Sequence, residues 1–311
     1  MVSEMMKNID TSVNIAGVIL KNPIVTVSGT CGTGKEYAGF YSPSQLGAIA
    51  VKGMTIRPRM GNPAPRVAET PSGMLNCIGL QNSGVKAFVE NELPRLEAEK
   101  AIVIANIAGD NFDDYFAAVD LISQTSVQLI EVNVSCPNVQ HGGAAFGVDP
   151  KVVESLTSQL KKRTTKPILI KLSPNVTDIT EIAGAAVAGG ADGLSLINTL
   201  LGMRIDIKTK RPMLSINAGG FSGAAIFPVA LRMVWQVKKA YPNTPIIGMG
   251  GVSSTEDAIE IMMAGADAVG VGTAMFQNPS LPVEIIENLE KYMEQNGIRS
   301  VSEITKSVIP W

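Results

Sequence analysis

Cysteine and histidine are scarce in this sequence of 311 residues, which contains three cysteines and one histidine. Cys31, Cys77 and Cys136 lie far apart and form no CxxC pair, so they cannot supply a zinc site or an iron-sulfur cluster. So few separated thiols also argue against a disulfide framework. They favour a reducing compartment, and we expect the protein to be cytoplasmic.

Charge is sparse as well, since charged residues make up 17% of the sequence. The 26 basic and 28 acidic residues give a net charge of −2, and lysine and arginine form no long run. The sequence therefore does not indicate a nucleic-acid-binding surface. It also lacks an apolar stretch of about 18 uncharged residues and an N-terminal apolar segment, so we expect neither a membrane span nor secretion.

Short apolar segments alternate with amphipathic segments along most of the chain. The apolar segments cover residues 24–27, 48–51, 102–107, 129–133, 168–172, 193–197, 246–248 and 268–271. Each reads as a parallel strand that is covered on both faces, and the intervening segments have helical spacing, as in Val152, Leu156 and Leu160. The pattern predicts a (β/α)8 TIM barrel in a single domain, residues 1–311, in preference to an open doubly wound sheet.

Three segments depart from a minimal barrel. Residues 13–21, with Gly17 in the middle, predict an N-terminal β-hairpin that plugs the bottom of the barrel. Residues 54–100 and 200–222 predict long loop insertions. Long connections of this kind usually carry function, so we expect both to contribute to an active site.

Polar side chains follow six of the predicted strands, at the point where each strand ends. They are Ser28, Lys52, Asn106, Asn133, Lys171 and the pair Asn198 and Thr199. Any one of them could be a cap or a turn residue. Because TIM-barrel active sites lie at the carboxyl ends of the strands, the set together predicts one site.

Glycine-rich segments follow the last two predicted strands, at residues 248–251 and 270–273. Glycines there let backbone N–H groups approach an anion, and these two loops form the phosphate site of many barrels. Tight turns that need glycine are the alternative interpretation. The position of both loops favours phosphate binding.

Cys136 lies just beyond the fourth predicted strand, between Asn133 and Asn138. A thiolate can act as a nucleophile or a base, and the polar neighbours favour this role over that of a small buried side chain. His141 follows five residues later without any triad motif, and we interpret it as a loop residue.

Seven short motifs, taken in order, closely resemble the dihydroorotate dehydrogenase family from about residue 13 to beyond residue 276. They are Val-Lys-Gly-Met-Thr (51–55), Asn-Cys-Ile-Gly-Leu-Gln-Asn (76–82), Asn-Val-Ser-Cys-Pro-Asn (133–138), Ile-Lys-Leu-Ser-Pro-Asn (170–175), Ile-Asn-Thr (197–199), Gly-Met-Gly-Gly (248–251) and Val-Gly-Thr (271–273). Residues 138–147 resemble the NAD-linked B type.

The resemblance implies a barrel that holds one FMN at its mouth and oxidises (S)-dihydroorotate to orotate in pyrimidine biosynthesis. Cys136 would take the C5 proton while C6 gives a hydride to FMN, and the membrane-associated members have serine at this position. The B type also implies a partner, namely an electron-transfer subunit that carries FAD and an iron-sulfur cluster and passes electrons to NAD. The implied assembly is a homodimer within a heterotetramer, and no metal site is expected in this chain.

The resemblance also implies two sets of ligand-binding residues. The substrate set is Lys52, Asn76, Cys77, Ile78, Gly79, Leu80, Asn133, Asn138, Asn198 and Thr199. The FMN set is Ser28, Lys52, Gly53, Asn106, Asn133, Lys171, Ile197, Gly223, Gly250, Gly251, Gly272 and Thr273. Asparagine suits a pyrimidine because it offers both a donor and an acceptor. Lys171 would stabilise the reduced flavin from near its N1 and C2 oxygen region.

Other functions compete with this interpretation. A fumarate-linked dihydroorotate dehydrogenase or an enzyme like dihydropyrimidine dehydrogenase would share the FMN barrel. In an aldolase-type barrel, Lys171 would form a Schiff base with a carbonyl substrate, and the purified protein would be colourless. A barrel that serves only as a scaffold would tolerate any residue at Cys136.

Overall fold

The structure is a computed structural model that describes residues 9–134 and 146–311. The strands are β1 (Val13–Ile15), β2 (Val18–Leu20), β3 (Ile24–Thr26), β4 (Ala48–Ala50), β5 (Val67–Thr70), β6 (Gly73–Asn76), β7 (Val103–Ile107), β8 (Leu129–Asn133), β9 (Ile168–Lys171), β10 (Gly193–Leu196), β11 (Leu200–Gly202), β12 (Ile205–Asp206), β13 (Arg211–Pro212), β14 (Gly219–Ser222), β15 (Ile246–Met249) and β16 (Ala268–Val271). The helices are α1 (Val85–Ala87), α2 (Leu93–Ala98), α3 (Phe112–Ser123), α4 (Pro150–Lys161), α5 (Ile179–Ala188), α6 (Phe227–Ala240), α7 (Thr255–Met263) and α8 (Leu281–Asn296). A π-helical segment, Phe88–Glu92, joins α1 to α2.

Eight parallel strands close into a barrel in the order β3, β4, β7, β8, β9, β10, β15 and β16, with β16 paired to β3. Each of the predicted apolar segments carries one of these strands, so the predicted TIM barrel is confirmed. Every residue of β7 is buried, as expected for a strand with the barrel interior on one face and helices on the other. On α4, Leu156 and Leu160 are buried as predicted, but Val153 rather than Val152 is the buried valine.

The hairpin of β1 and β2 closes the bottom of the barrel, as predicted. Ile15 and Leu20 are fully buried and belong to the same apolar cluster as Leu129, Leu169 and Ile247 on the barrel strands. Leu129 is the first residue of β8, so this cluster lies at the amino ends of the strands. The hairpin therefore supplies apolar side chains to the end of the barrel opposite the predicted active site.

An aspartate ties together three elements at this lower end. Asp192, just before β10, accepts hydrogen bonds from Lys161 Nζ at the end of α4 (2.6 Å) and from the backbone N–H of Ile168 at the start of β9 (2.7 Å). Its own backbone N–H donates to the Ile168 carbonyl (2.9 Å). One carboxylate thus fixes a helix end and two adjacent strands.

The same arrangement recurs two βα units later. Asp267, just before β16, accepts from Lys238 Nζ on α6 (2.6 Å) and from the backbone N–H of Ile246 at the start of β15 (2.8 Å). Burial lowers the pKa of Lys238, and the neighbouring Asp267 carboxylate opposes that shift. We call these two arrangements the aspartate clamps.

The sequence predicts that the two long insertions are loops, but in the structure both contain strands. Strands β11, β14, β6 and β5 form a four-stranded antiparallel sheet, the insertion sheet, which combines residues 67–76 with residues 200–222. Asn76 pairs with Gly220 across 144 residues of sequence. Such short strands, paired over a long separation and containing glycines, give no continuous apolar pattern.

Among the described residues, no helix combines the length and the apolar character that crossing a bilayer requires.

Candidate active site

The inward-facing side chains change from apolar to polar along three neighbouring barrel strands. Ile104, Leu129 and Leu169 lie in the interior cluster, and residues two positions further along a strand point to the same face. Those residues are Asn106, Glu131 and Lys171. All three are buried, so the carboxyl half of the barrel interior contains a polar layer.

Glu131 joins the other two members of this layer. Asn106 Nδ2 donates a hydrogen bond to Glu131 Oε1, and Lys171 Nζ lies 3.5 Å from the same oxygen. The Glu131 side chain is 1% exposed and that of Lys171 is 5% exposed. A buried charge is stable only with a partner, so the two side chains compensate one another. Sequence reasoning missed Glu131, although a carboxylate in the middle of an otherwise apolar strand was a usable signal.

The side-chain amide oxygen Oδ1 of Asn106 has no hydrogen-bond partner among the described residues, although it is buried. It faces the Cα of Gly53, where an added Cβ would lie 2.7 Å from Asn106 Oδ1 and 3.5 Å from Leu80 Cδ2. The structure thus brings together Gly53 and Asn106 from the predicted FMN set and Leu80 from the substrate set. A buried acceptor without a donor costs about 1–3 kcal/mol, which a bound N–H group would recover.

Lys52 is another cation of this region. Its Nζ would lie 3.9 Å from a Cβ placed at Gly29, at the end of β3. Burial lowers the pKa of Lys52, and the positive charges of Arg66 and Lys171 lower it further. A buried and a half-buried cationic side chain at one barrel mouth favour an anionic or electron-rich ligand.

Two predicted substrate residues meet at the ends of β8 and β10. Asn198 Nδ2 donates to Asn133 Oδ1 (3.2 Å), and the Asn198 carbonyl oxygen Oδ1 accepts from the backbone N–H of Thr199 (2.8 Å). Tyr115 on α3 donates its hydroxyl to the Asn133 backbone carbonyl (2.8 Å). These contacts fix the asparagines before any ligand is bound.

The insertion sheet brings Asn76 to the same region. Asn76 Nδ2 contacts the carbonyl of Gly220 (3.4 Å), and a Cβ at Gly220 would lie 2.2 Å from Thr199 Oγ1. Gly220 therefore lies between two predicted substrate residues that are far apart in sequence. It was missed because its role depends on a strand pairing that the sequence does not reveal.

The predicted phosphate loops meet at the N-terminal end of α6. Gly251 has φ of +81°, and an added Cβ would lie 2.7 Å from the backbone nitrogen of Phe227 and 2.8 Å from the carbonyl of Gly223. Thr273 Oγ1 donates to Ser222 Oγ (2.9 Å), which brings the loop after β16 to the end of the insertion sheet. Only a residue without a side chain fits at Gly251.

The helix N-termini at these loops lack the side-chain caps found elsewhere. Asn111, Asp149, Asp178 and Ser254 cap α3, α4, α5 and α7. No side chain caps the short 3₁₀ helices that begin after Gly223 and Gly272, nor α6. The Ala225 N–H already donates to the Ser72 carbonyl (3.0 Å), and α1, α2 and α8 lack side-chain caps as well. The other first-turn N–H groups and the glycines at this corner suit an anion such as a phosphate.

The remaining predicted positions give less direct information about a ligand-binding site. Cys77 is buried and belongs to the apolar cluster of Ala68, Leu75 and Leu214 beneath the insertion sheet. Ile197 is buried at the end of β10, 3.0 Å from a Cβ placed at Gly250. Further positions of the two sets, Ser28, Ile78, Gly79 and Gly272, lie in the connections that follow strands β3, β6 and β16. Cys136 and Asn138, together with His141, lie outside the described residues.

Comparison with known proteins agrees with this site. Residues 11–293 match the family model for dihydroorotate dehydrogenase. A relative from Alkaliphilus metalliredigens is 53% identical over 97% of this chain and 100% of its own length, and one from Enterococcus faecalis is 54% identical over 98% and 97%. One from Bacteroides fragilis is 50% identical over 95% and 97%. All three are named dihydroorotate dehydrogenase B (NAD(+)), catalytic subunit.

These matches are incompatible with the aldolase and scaffold alternatives, and the shared name favours the NAD-linked B type over the fumarate-linked one. They extend through the barrel, the insertion sheet and both glycine-rich loops. The chain belongs to the dihydroorotate dehydrogenase family.

Proposed function

We propose that this chain is the FMN-dependent catalytic subunit of an NAD-linked dihydroorotate dehydrogenase, which oxidises (S)-dihydroorotate to orotate. The convergence of Asn106, Asn133, Lys171 and Asn198 at one end of the barrel carries the proposal. Three of these side chains come from separate strands and Asn198 follows a fourth, β10, and hydrogen bonds or an ion pair already hold each of them. The relatives' names give the reaction.

The described residues fit both the phosphate and the ring of FMN. The uncapped N-termini after Gly223 and Gly272 suit its phosphate, and the unpartnered oxygen of Asn106 suits an N–H of its ring. When bound, FMN supplies the acceptor for the hydride that leaves C6 of the substrate. Lys171, held by Glu131, would place a positive charge beside the ring and favour its reduced form.

The protein's own groups bind the substrate and remove its proton. Asn76, Asn133, Asn198 and Thr199 would bind the pyrimidine and its carboxylate through paired donors and acceptors. We assign the C5 proton to Cys136, on the resemblance of residues 133–138 to the family motif. Asn133, the residue that begins this motif, ends β8 at the polar layer.

The partner follows from the relatives' names, because a catalytic subunit implies a second subunit. We propose that this partner carries FAD and an iron-sulfur cluster and that the assembly is a heterotetramer built on a homodimer of this chain. The chain itself offers few cysteines and no dinucleotide-binding motif. We further propose that residues 1–311 form one domain and that the enzyme acts in the cytoplasm.

The test uses the purified chain with and without its electron-transfer subunit. The isolated chain should be yellow, and anaerobic dihydroorotate should bleach its flavin absorbance while producing no NADH. Adding the partner should give NADH up to a stoichiometric limit. A colourless protein, or one bleached by dihydrouracil and not by dihydroorotate, contradicts the proposed reaction. Efficient use of fumarate, or NADH formation by the chain alone, contradicts only the NAD-linked heteromeric part.

A further inference from the structure

The contact between Glu131 and Asn106 determines which end of the Asn106 amide is available to a ligand. Asparagine has a donor end and an acceptor end, whereas a carboxylate accepts only. Because Glu131 Oε1 receives Nδ2, the other end, Oδ1, is left beside Gly53 without a partner. Glu131 is itself buried, and its only role in the proposed function is to hold Lys171.

Rotating the amide would be unfavourable in the structure as it stands. It would place Oδ1 against the Glu131 carboxylate, with two acceptors facing each other, and it would point Nδ2 at the Cα of Gly53. Lys171 Nζ lies 3.5 Å from Glu131 Oε1, and this ammonium helps to keep the buried carboxylate charged and accepting. The charge of Lys171 and the orientation of Asn106 are therefore linked through one oxygen atom.

We propose that Glu131 is a positioning residue with two roles. It holds the side-chain oxygen Oδ1 of Asn106 towards the cofactor as an acceptor for a ring N–H, and it balances the charge of Lys171. This inference rests on the proposed FMN-binding function. It makes Glu131 act through two neighbours rather than by touching the cofactor. It also explains why a carboxylate occupies the interior of a strand whose other inward residue at the barrel bottom, Leu129, is apolar.

An exchange of the two groups tests the orientation. Asn106→Asp places two carboxylates together and removes the donor, so the FMN dissociation constant should rise by about tenfold or more. In the double variant Asn106→Asp with Glu131→Gln, the glutamine amide donates to the new aspartate, whose second oxygen still faces Gly53. The double variant should bind FMN within a few-fold of the wild type. Affinity is measured by quenching of FMN fluorescence on addition of apoprotein.

The single variant Glu131→Gln tests the charge. Its amide oxygen can still accept from Asn106, so FMN affinity should change only a few-fold. Loss of the Glu131 negative charge leaves more positive charge beside the ring, so the reduction potential of the bound flavin should rise. Asp267→Asn, which disturbs a lysine and aspartate pair at the opposite end of the barrel, is the matched control and should leave both FMN affinity and potential unchanged.

The outcomes separate the two proposals. If the wild type binds no FMN, the proposed function fails. If the wild type binds FMN but the losses of the two single variants simply multiply in the double variant, the orientation role is wrong. An unchanged potential in Glu131→Gln is evidence against the charge role. Should Asn106→Asp fail to fold, recovery of folded, yellow protein in the double variant supports the proposal, and failure to recover overturns it.

Discussion

The same strands form both ends of the barrel, but the two ends differ in whether their polar groups have partners. At the amino ends, the hairpin residues Ile15 and Leu20 complete an apolar cluster, and the aspartate clamps satisfy their lysines. At the carboxyl ends, the amide oxygen of Asn106 is buried without a donor among the described residues, and the half-buried Lys52 feels the positive charges of Arg66 and Lys171. The lower end is complete without a ligand, whereas the upper end needs one. Substitutions at the two ends should therefore separate stability from cofactor binding.

The largest effect is expected at the phosphate corner. Gly251→Val adds a side chain 2.7 Å from the backbone nitrogen of Phe227 at a φ of +81°. The loop must move away from the phosphate corner to relieve this strain and crowding, and returning it on FMN binding costs about 3 kcal/mol, so FMN affinity should fall by about a hundredfold or more. The purified variant should be colourless but folded, as measured by flavin absorbance and circular dichroism.

Gly39→Val is the matched control, because a Cβ at Gly39 meets nothing within 4 Å. This variant should retain its flavin. A fully flavinated Gly251→Val protein would remove the phosphate assignment.

Loss of the proposed base should have a comparable effect on rate alone. Cys136→Ala should bind FMN normally, but dihydroorotate should reduce the flavin about a hundredfold more slowly, the usual effect of removing a general base. Stopped-flow bleaching at 450 nm, in the usual flavin band, measures the rate. Cys136→Ser should react only at higher pH than the wild type, because a hydroxyl loses its proton less readily than a thiol.

Cys31→Ala serves as the control for that experiment, since Cys31 is buried in the core and its thiol donates a hydrogen bond to the Thr26 hydroxyl. Its flavin should be reduced at the wild-type rate. Wild-type bleaching in Cys136→Ala would show that another group takes the proton.

The lower end should respond in the opposite way. Asp267→Asn leaves Lys238, which is 6% exposed, without its charge partner. We expect the free energy of unfolding to fall by about 2 kcal/mol, less than for a fully buried pair because Asp267 is partly exposed. Urea denaturation measures this loss. A fall in FMN affinity alongside it would mean that the two ends are coupled.

The sequence specified the barrel better than its insertions for a physical reason. Strands such as β7 are buried on both faces, so every residue is apolar apart from the inward Asn106, and the pattern is visible. The insertion sheet has short strands whose pairing, as between Asn76 and Gly220, depends on the completed fold. Strand-end residues could be predicted because the barrel places them. Glu131 could not be assigned a role, since its partners lie on neighbouring strands.

The smallest effect concerns pH. Burial raises the pKa of Cys31 from 9.0 to about 11, so the folded protein keeps a proton that the unfolded chain releases. The resulting stability is complete below pH 9 and is lost as the pH rises towards 11, by about 1 kcal/mol at pH 10. Tyr37 and Tyr41, whose pKa values are also raised by burial, add to the decline at higher pH.

Unfolding in urea at pH 7 and pH 10 measures this term as a difference between proteins. Cys31→Ala should lose about 1 kcal/mol less than the wild type between these pH values. Equal losses in the wild type and Cys31→Ala would mean that the thiol ionises equally in both states.

The aspartate clamps also bear on how the barrel is assembled from units. Residues 167–192 and 245–267 each begin with proline and isoleucine at a strand start and end with Ala-Asp before the next strand, at Ala191–Asp192 and Ala266–Asp267. In each unit the aspartate accepts a hydrogen bond from the N–H at the start of the strand and another from a lysine on the helix before the unit. The clamp therefore recurs as a structural unit of the barrel, in which one carboxylate links the start of a strand to the helix before it.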